Sequence, residues 1–350
     1  VYGVYLDDGT VSLHMDEKLP VRCNIDGKIS NEAIDLNCTG INIDMPLVWN
    51  LTPFIDKATF ESGTIVGDMK ILGNKKEPEF YSDLKAKGVT ATSQYYAPEL
   101  YGPQDIDIHF SGTTLTVPYT VVKGPTAKLY GSVVSEFSGW IPADTVIKCG
   151  TLKNNMGLMK TKNIAYHSDG YVGGDITMTI SPGEIYLEGK TTFDNGFFSI
   201  PFNDLQKIGK SPTGRPSNWV FRMKLEILMG KKAEYRWPNN EFPILRALIP
   251  SEKPAVLTVD SSIGYVDLKG ASTIRGGEIF YVKRNFYIRE GNIFFAATPE
   301  GFEPLVSLRA EIRDKDEGGE PIKIILTAKE QNLENFNPKI ETLSLIHISE

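Results

Sequence analysis

Basic excess, histidine, cysteine and long apolar runs are all scarce in this 350-residue chain. Lysine and arginine total 37 against 44 acidic residues, a net charge of −7. That balance argues against a general nucleic-acid surface. The histidines number four, and His14 and His167 stand alone, which leaves nothing arranged for general acid–base or nucleophilic chemistry. Cys23, Cys38 and Cys149 form neither a disulfide framework nor a CxxC metal pair and read as small buried hydrophobes. The longest unbroken apolar stretch is Ile293–Ala297, far short of the ~18–20 residues of a membrane-spanning helix.

Hydrophobic residues make up 41% and charged residues 23%, which is the composition of folded rather than disordered material. The chain starts at Val1 with what reads as mid-strand sequence, so it is expected to be a fragment. The tail Leu343–Glu350, "LSLIHISE", resembles read-through of a sequencing adapter, and residues 343–350 are expected to be non-native.

Motif searches return near misses. Gly189-Lys190-Thr191 ends like a phosphate-binding loop, but Gly183 stands one residue too far upstream and the flanks alternate like strands. No HExxH or GxSxG occurs. Asp105, Asp107 and His109 share one strand face, where a solvated polar surface is the simpler reading than a metal site. Asp314–Gly319 starts like a calcium loop but has Gly318 at the fifth position and Ile325 at the twelfth; a hairpin turn accounts for it better.

What the sequence has in quantity is alternation. Ile106, Ile108 and Phe110 share a face, as do Leu115, Val117, Tyr119 and Val121, then Ile176, Met178 and Ile180. Trp219, Phe221, Met223, Leu225 and Ile227 form a longer stripe, continued by Met229. Phe286 and Ile288, Ile293 and Phe295, and Val306, Leu308, Ala310 and Ile312 follow. A period of two is the strand signature, because successive side chains point to opposite faces. Turn signals such as Asp8-Gly9, Ser111-Gly112, Asn195-Gly196 and Gly318-Gly319 recur. Short links predict an antiparallel meander. In the stretch Gly276–Phe295, Lys283–Asn285 and Arg289–Gly291 read as turns between three short strands. Helical spacing is confined to Leu47–Ile55, around Pro53, and Phe202–Ile208, with Asn203 as a possible N-cap.

The fold class is therefore all-β, a long antiparallel sheet with one or two short helices. About thirty strands would make a sheet some 120–140 Å long. Its apolar face cannot stay in water, so the sheet must form sandwiches, wind into a solenoid, or curl around something apolar.

Two segments carry a resemblance. Leu47–Thr92 has a short apolar helix, then Gly63-x-Ile65-x-Gly67-x-Met69-x-Ile71-x-Gly73, then Pro78 and a further strand. Gly277–Asp314 has a G-x-I strand, an F-x-I strand, G-x-I-x-F, a proline before a strand and an acidic turn. Both are similar to the TamB (translocation and assembly module, DUF490) family of the AsmA-like superfamily, and Leu115–Trp140 shows the same likeness. The resemblance implies an elongated repetitive region over residues 1–342, with a C-terminal conserved part at about 255–342. It implies a sheet curled into a U-shaped, β-taco-like trough lined by the stripes named above. It further implies a periplasmic bridge in a diderm envelope, anchored in the inner membrane by a missing N-terminal helix. That bridge would carry phospholipid acyl chains toward the outer membrane and dock through its C-terminal region on an Omp85-class barrel. Such a protein is no enzyme and needs no cofactor, metal or nucleic acid. The competing expectation is an assembly scaffold for outer-membrane β-barrel proteins and autotransporters.

Overall fold

The computed structural model describes all residues except 1, 7, 16–18, 20, 31, 51–58, 94–96, 163–166, 200–218, 296, 299–300, 303 and 345–350. The chain is all-β. Its strands are β1 (Tyr2–Tyr5), β2 (Thr10–His14), β3 (Val21–Ile29), β4 (Ile34–Asp44), β5 (Thr59–Gly73), β6 (Pro78–Ser93), β7 (Ala97–Gly112), β8 (Thr114–Lys123), β9 (Lys128–Ser138) and β10 (Ile141–Thr151). They continue as β11 (Gly157–Lys162), β12 (His167–Ser181), β13 (Glu184–Ser199), β14 (Val220–Met229), β15 (Ala233–Trp237), β16 (Leu245–Leu248), β17 (Ala255–Asp260) and β18 (Tyr265–Ile274). The last are β19 (Gly276–Tyr281), β20 (Arg284–Phe295), β21 (Ala297–Thr298), β22 (Gly301–Phe302), β23 (Leu305–Lys315), β24 (Pro321–Asn332) and β25 (Lys339–Ser344). Among the described residues the one helix is α1 (Met45–Asn50), with Pro46 in its first turn, where a missing N–H costs nothing. The rest of the expected first helix, Leu51–Ile55, and the expected second one, Phe202–Ile208, lie outside the described residues.

The chain divides into two compact units, Val1–Leu158 with Gly174–Leu187, and Met159–Gly173 with Glu188–Glu350.

In the first unit the meander holds from β1 to β10, each strand antiparallel to the next. β12 then pairs with β10. One register row runs through ten strands: Leu13, Ile25, Cys38, Met69, Ser82, Phe110, Leu115, Ser135, Thr145 and Ile180. Residues directly opposite in a ladder share a face, so this row defines one side of the sheet.

Bulges keep that side apolar. In β4 the register shifts between Cys38 and Ile41, both buried, and Gly40 takes φ 62°. In β6 it shifts between Ala86 and Val89, and Gly88 takes φ 61°. Glycine suits this left-handed conformation because it has no Cβ to clash. The Gly40 amide donates to Asp68 Oδ1 over 2.7 Å, and the Gly88 amide to Asp105 Oδ1 over 3.0 Å. The Glu330 amide in β24, at φ 45°, likewise donates to Ser307 Oγ over 2.9 Å. Each extra residue thus has its freed N–H held by a side chain of the adjacent strand.

The second unit departs from the expected meander. β13 pairs parallel with β15, so the sheet is mixed. β15 pairs with β16, β16 with β19, and β19 with the first half of β20. β14 pairs with β17, β17 with β18, and β18 with the second half of β20. β20 therefore joins two branches, while its other edge carries β23, followed by β24 and β25.

The expected turn at Arg289–Gly291 is instead a bulge inside continuous β20, where the register shifts between Ile288 and Glu290. Its cause was in the sequence: Phe286 and Ile288 are even-numbered, Ile293 and Phe295 odd. One extra residue lets both pairs face the same core. The other expected turn is present around Val282 and Lys283. Asp314–Gly319 leads into a hairpin between β23 and β24, in which Asp316 Oδ1 accepts from the Gly318 and Glu320 amides at 2.9 Å each.

Candidate apolar groove

The apolar face of the first unit curves inward. Phe80 on β6 and Phe137 on β9 lie three strand spacings apart, about 14 Å in a flat sheet, yet their ring centroids are 5.7 Å apart. Phe110 sits 5.8 Å from each. Trp140, in the β9–β10 turn, stands edge-on to Phe80 at 5.7 Å and donates from Nε1 to the Lys75 carbonyl in the β5–β6 turn over 2.9 Å. A Cβ on Gly139 would come within 2.8 Å of the Lys76 carbonyl oxygen, so the two turns meet backbone to backbone. The concave side is the apolar one.

Along this side the packing changes. Cys38, Ile41 and Leu84 form a small buried cluster, with Cys23, Ile25, Ile43, Ile65, Met69, Ile71 and Ile108 packed around it. This places Cys23 and Cys38 on neighbouring strands as free thiols. Burial pushes both thiols up from the usual range, as it does Cys149 on β10. The glycine spacing of β5 belongs here: a Cβ on Gly67 would meet Leu84 at 2.8 Å, and one on Gly63 would meet the Met45 sulfur of α1 at 3.1 Å.

From β7 to β12 much of the same face is only half-buried, although Tyr101 and Ser135 are buried. Ile106, Ile108, Phe110, Leu115, Val117, Ile176, Met178 and Ile180 all keep apolar surface accessible. Register brings them together: Val117 faces Val133, Val133 faces Ile147, and Ile147 faces Met178. Val133, Ile147, Phe80, Phe137 and Tyr101 were not singled out from sequence, although the Val133-Ser135-Phe137 alternation carried the signal.

Tyr119 and Val121 are a correction. The β8–β9 register shifts between Val117 and Thr120, so Val121 stands opposite Tyr130 rather than on the row of Val117 and Val133. Tyr119 is 59% exposed and stacks on Tyr130 at 5.1 Å. Tyr130 donates to Asp175 Oδ1 over 2.6 Å on that polar side. Desolvation, then this bond to a carboxylate, pushes its phenol up to about 12. The physical reason is Pro118, whose missing N–H is tolerated within a strand at a bulge or an edge.

The polar residues that raised a metal question are engaged across strands. Lys85 Nζ lies 3.4 Å from Asp107, His109 Nδ1 lies 2.6 Å from Asp83, and Asp105 holds the Gly88 amide. No group of metal-ligating side chains occurs among the described residues.

The second unit differs in kind. Phe286, Ile288, Ile293, Phe295, Val306, Leu308 and Ala310 are 0–5% exposed and belong to one closed core with Tyr235, Leu245, Ile279 and Leu326. Ile312 packs against that core. These side chains already touch protein on all sides, so they line no open surface. The β14 stripe is intermediate: Phe221, Met223, Leu225 and Ile227 are half-buried and Trp219 is 39% exposed. The expected lining thus separates into half-buried stripes, one on the first unit and one on β14, and a filled core.

No family model, curated protein or solved structure matches the chain.

Proposed function

We propose that the first unit holds phospholipid acyl chains along its concave face, as part of a periplasmic bridge between the inner and outer membranes. The observation that supports this is the half-buried apolar face of β7 to β12, where Phe110 stands opposite Leu115 and the row Val117, Val133, Ile147 and Met178 is joined strand by strand in register. Each methylene withdrawn from water contributes ~0.8 kcal/mol, so a tail binds without specific contacts while its headgroup stays in solvent. Uniform aliphatic stripes provide many equivalent weak sites, which suits transfer along a path better than one tight pocket. In this reading the protein is tethered to the inner membrane and is not an enzyme.

The test is native mass spectrometry with lipid extraction on the purified chain. Co-purified phospholipid, diminished when a carboxylate replaces Val117, supports the conduit. A folded, lipid-free protein counts against it.

A second reading, an assembly scaffold for outer-membrane β-proteins working with an Omp85-class partner, is favoured by one feature. β25 is exposed at every residue, and among the described residues its ladder is with β24 alone. Such an edge suits strand addition.

A further inference from the structure

β7 and β8 are both long strands, of 16 and 10 residues, yet they share a register over only three pairs: His109 with Thr116, Phe110 with Leu115, and Ser111 with Thr114. Each strand is laddered along its other edge, β7 to β6 from Ala97 to Gly112 and β8 to β9 from Thr114 to Lys123. From Gly102 to Ile108 on one side and Val117 to Lys123 on the other, no register pairs them. Every other consecutive pair from β1 to β10 shares a longer register.

The sequence explains the seam. Pro103 stands in β7 and Pro118 in β8, and neither brings an N–H to a ladder. The Pro118 bulge also turns Tyr119 out to the polar side. Ladder hydrogen bonds are what resist parting of two strands, so a sheet separates most readily where it lacks them.

Both ends of the seam are fastened. At one end is the three-pair hairpin. At the other, the Thr126 hydroxyl donates to Glu99, and the Tyr101 ring, 4% exposed, lies so close to Gly124 that a Cβ there would be 2.3 Å from it. The lips have two characters: Ile106, Ile108 and Val117 on the concave side, Asp107 and Tyr119 on the convex side.

We infer that the β7–β8 seam is a lateral gate that parts to admit a phospholipid acyl chain sideways into the concave face, with the headgroup left among the polar convex-side residues. This rests on the acyl-chain reading above. The pinned ends let the middle open without unfolding the unit, and the apolar inner lips give the tail a continuous path to Val133 and Ile147.

The gate can be locked from outside. In a background with Cys23, Cys38 and Cys149 replaced by alanine, Asp107→Cys with Tyr119→Cys would be bridged by a short bis-maleimide linker. Uptake of a fluorescent-acyl phospholipid from phosphatidylethanolamine–phosphatidylglycerol vesicles would then be timed with and without the linker. Several-fold slower uptake when bridged, with unchanged capacity after long incubation, supports the gate. Equal rates overturn it and leave the groove standing. Uptake by neither form overturns both. Pro118→Val, in otherwise native protein, gives an independent reading. The restored N–H donor should lengthen the β7–β8 ladder, seen as slower hydrogen exchange at residues 117–121, and slow uptake several-fold. Slower exchange with unaltered uptake overturns the gate.

Discussion

The indole of Trp140 donates to the Lys75 carbonyl over 2.9 Å, although their turns lie at opposite sides of the block β6 to β9. A flat sheet could not bring them together. The contact therefore reports the curl of the first unit, and with Phe80, Phe110 and Phe137 it closes one end of the concave face with aromatic rings.

Trp140→Phe keeps a ring against Phe80 and removes the N–H. A typical hydrogen bond contributes ~0.5–1.5 kcal/mol net, and Trp140 is 51% exposed, so the lower part of that range is expected. Urea unfolding read by a first-unit probe should show a slightly lower midpoint. A midpoint raised by the substitution would mean that the turn contact strains the sheet rather than holds its curl.

The two faces of β8 should respond oppositely to charge. On the acyl-chain proposal, Val117→Asp puts a carboxylate opposite Val133 on the concave face, where an unpaired polar group costs ~1–3 kcal/mol or more, and should lower lipid co-purification several-fold. Tyr119→Asp, two residues on, puts the same charge in water and should leave bound lipid unchanged. Comparable lipid loss in both variants would contradict the bulge at Pro118.

That pair also shows where sequence reading succeeded and where it stopped. Alternation located most strands and the faces of Ile106–Phe110 and Ile176–Ile180, because period two is a local property of the extended backbone. It failed at β8 and β20, where one inserted residue reverses the parity. Pro118 in the first case and the even-to-odd switch from Ile288 to Ile293 in the second were the visible signs. What no local pattern could show is whether an apolar stripe is open or covered. Val306 and Val117 look alike in sequence; β20 and β24 flank the first in a closed core, whereas the second stays half-buried. The parallel pairing of β13 with β15 and the branching at β20 depend on long-range partners for the same reason.

Closed packing makes its own prediction. Ile293 is 0% exposed and belongs to the core with Tyr235 and Ile279. Ile293→Ala should cost ~2–5 kcal/mol through lost burial and a residual cavity, read as a large fall in the unfolding midpoint of the second unit. On the acyl-chain proposal, the lipid that co-purifies with protein that remains folded should not change. Lipid loss at native-like folding would show that the second-unit stripes contribute to the lining after all.

The outer side of the second unit carries an acid-sensitive cluster of three charges. Glu311 accepts from Lys323 Nζ at 2.5 Å and from Arg289 Nε at 2.7 Å. These bonds, Lys323 first, hold its carboxyl below the usual carboxylate range. A carboxyl depressed in the folded state stabilises fully above its unfolded value, ~4.3, and that contribution disappears as pH falls through the lower folded value. Glu311→Gln should therefore destabilise the second unit at neutral pH, and the gap between variant and parent should close as the solution is acidified past that range. Screening by salt should narrow the gap as well, since the Arg289 side chain is exposed. Urea midpoints measured at neutral and strongly acidic pH decide the matter. A gap that stays constant down to acid pH would assign the loss to packing of the Glu311 side chain rather than to its charge.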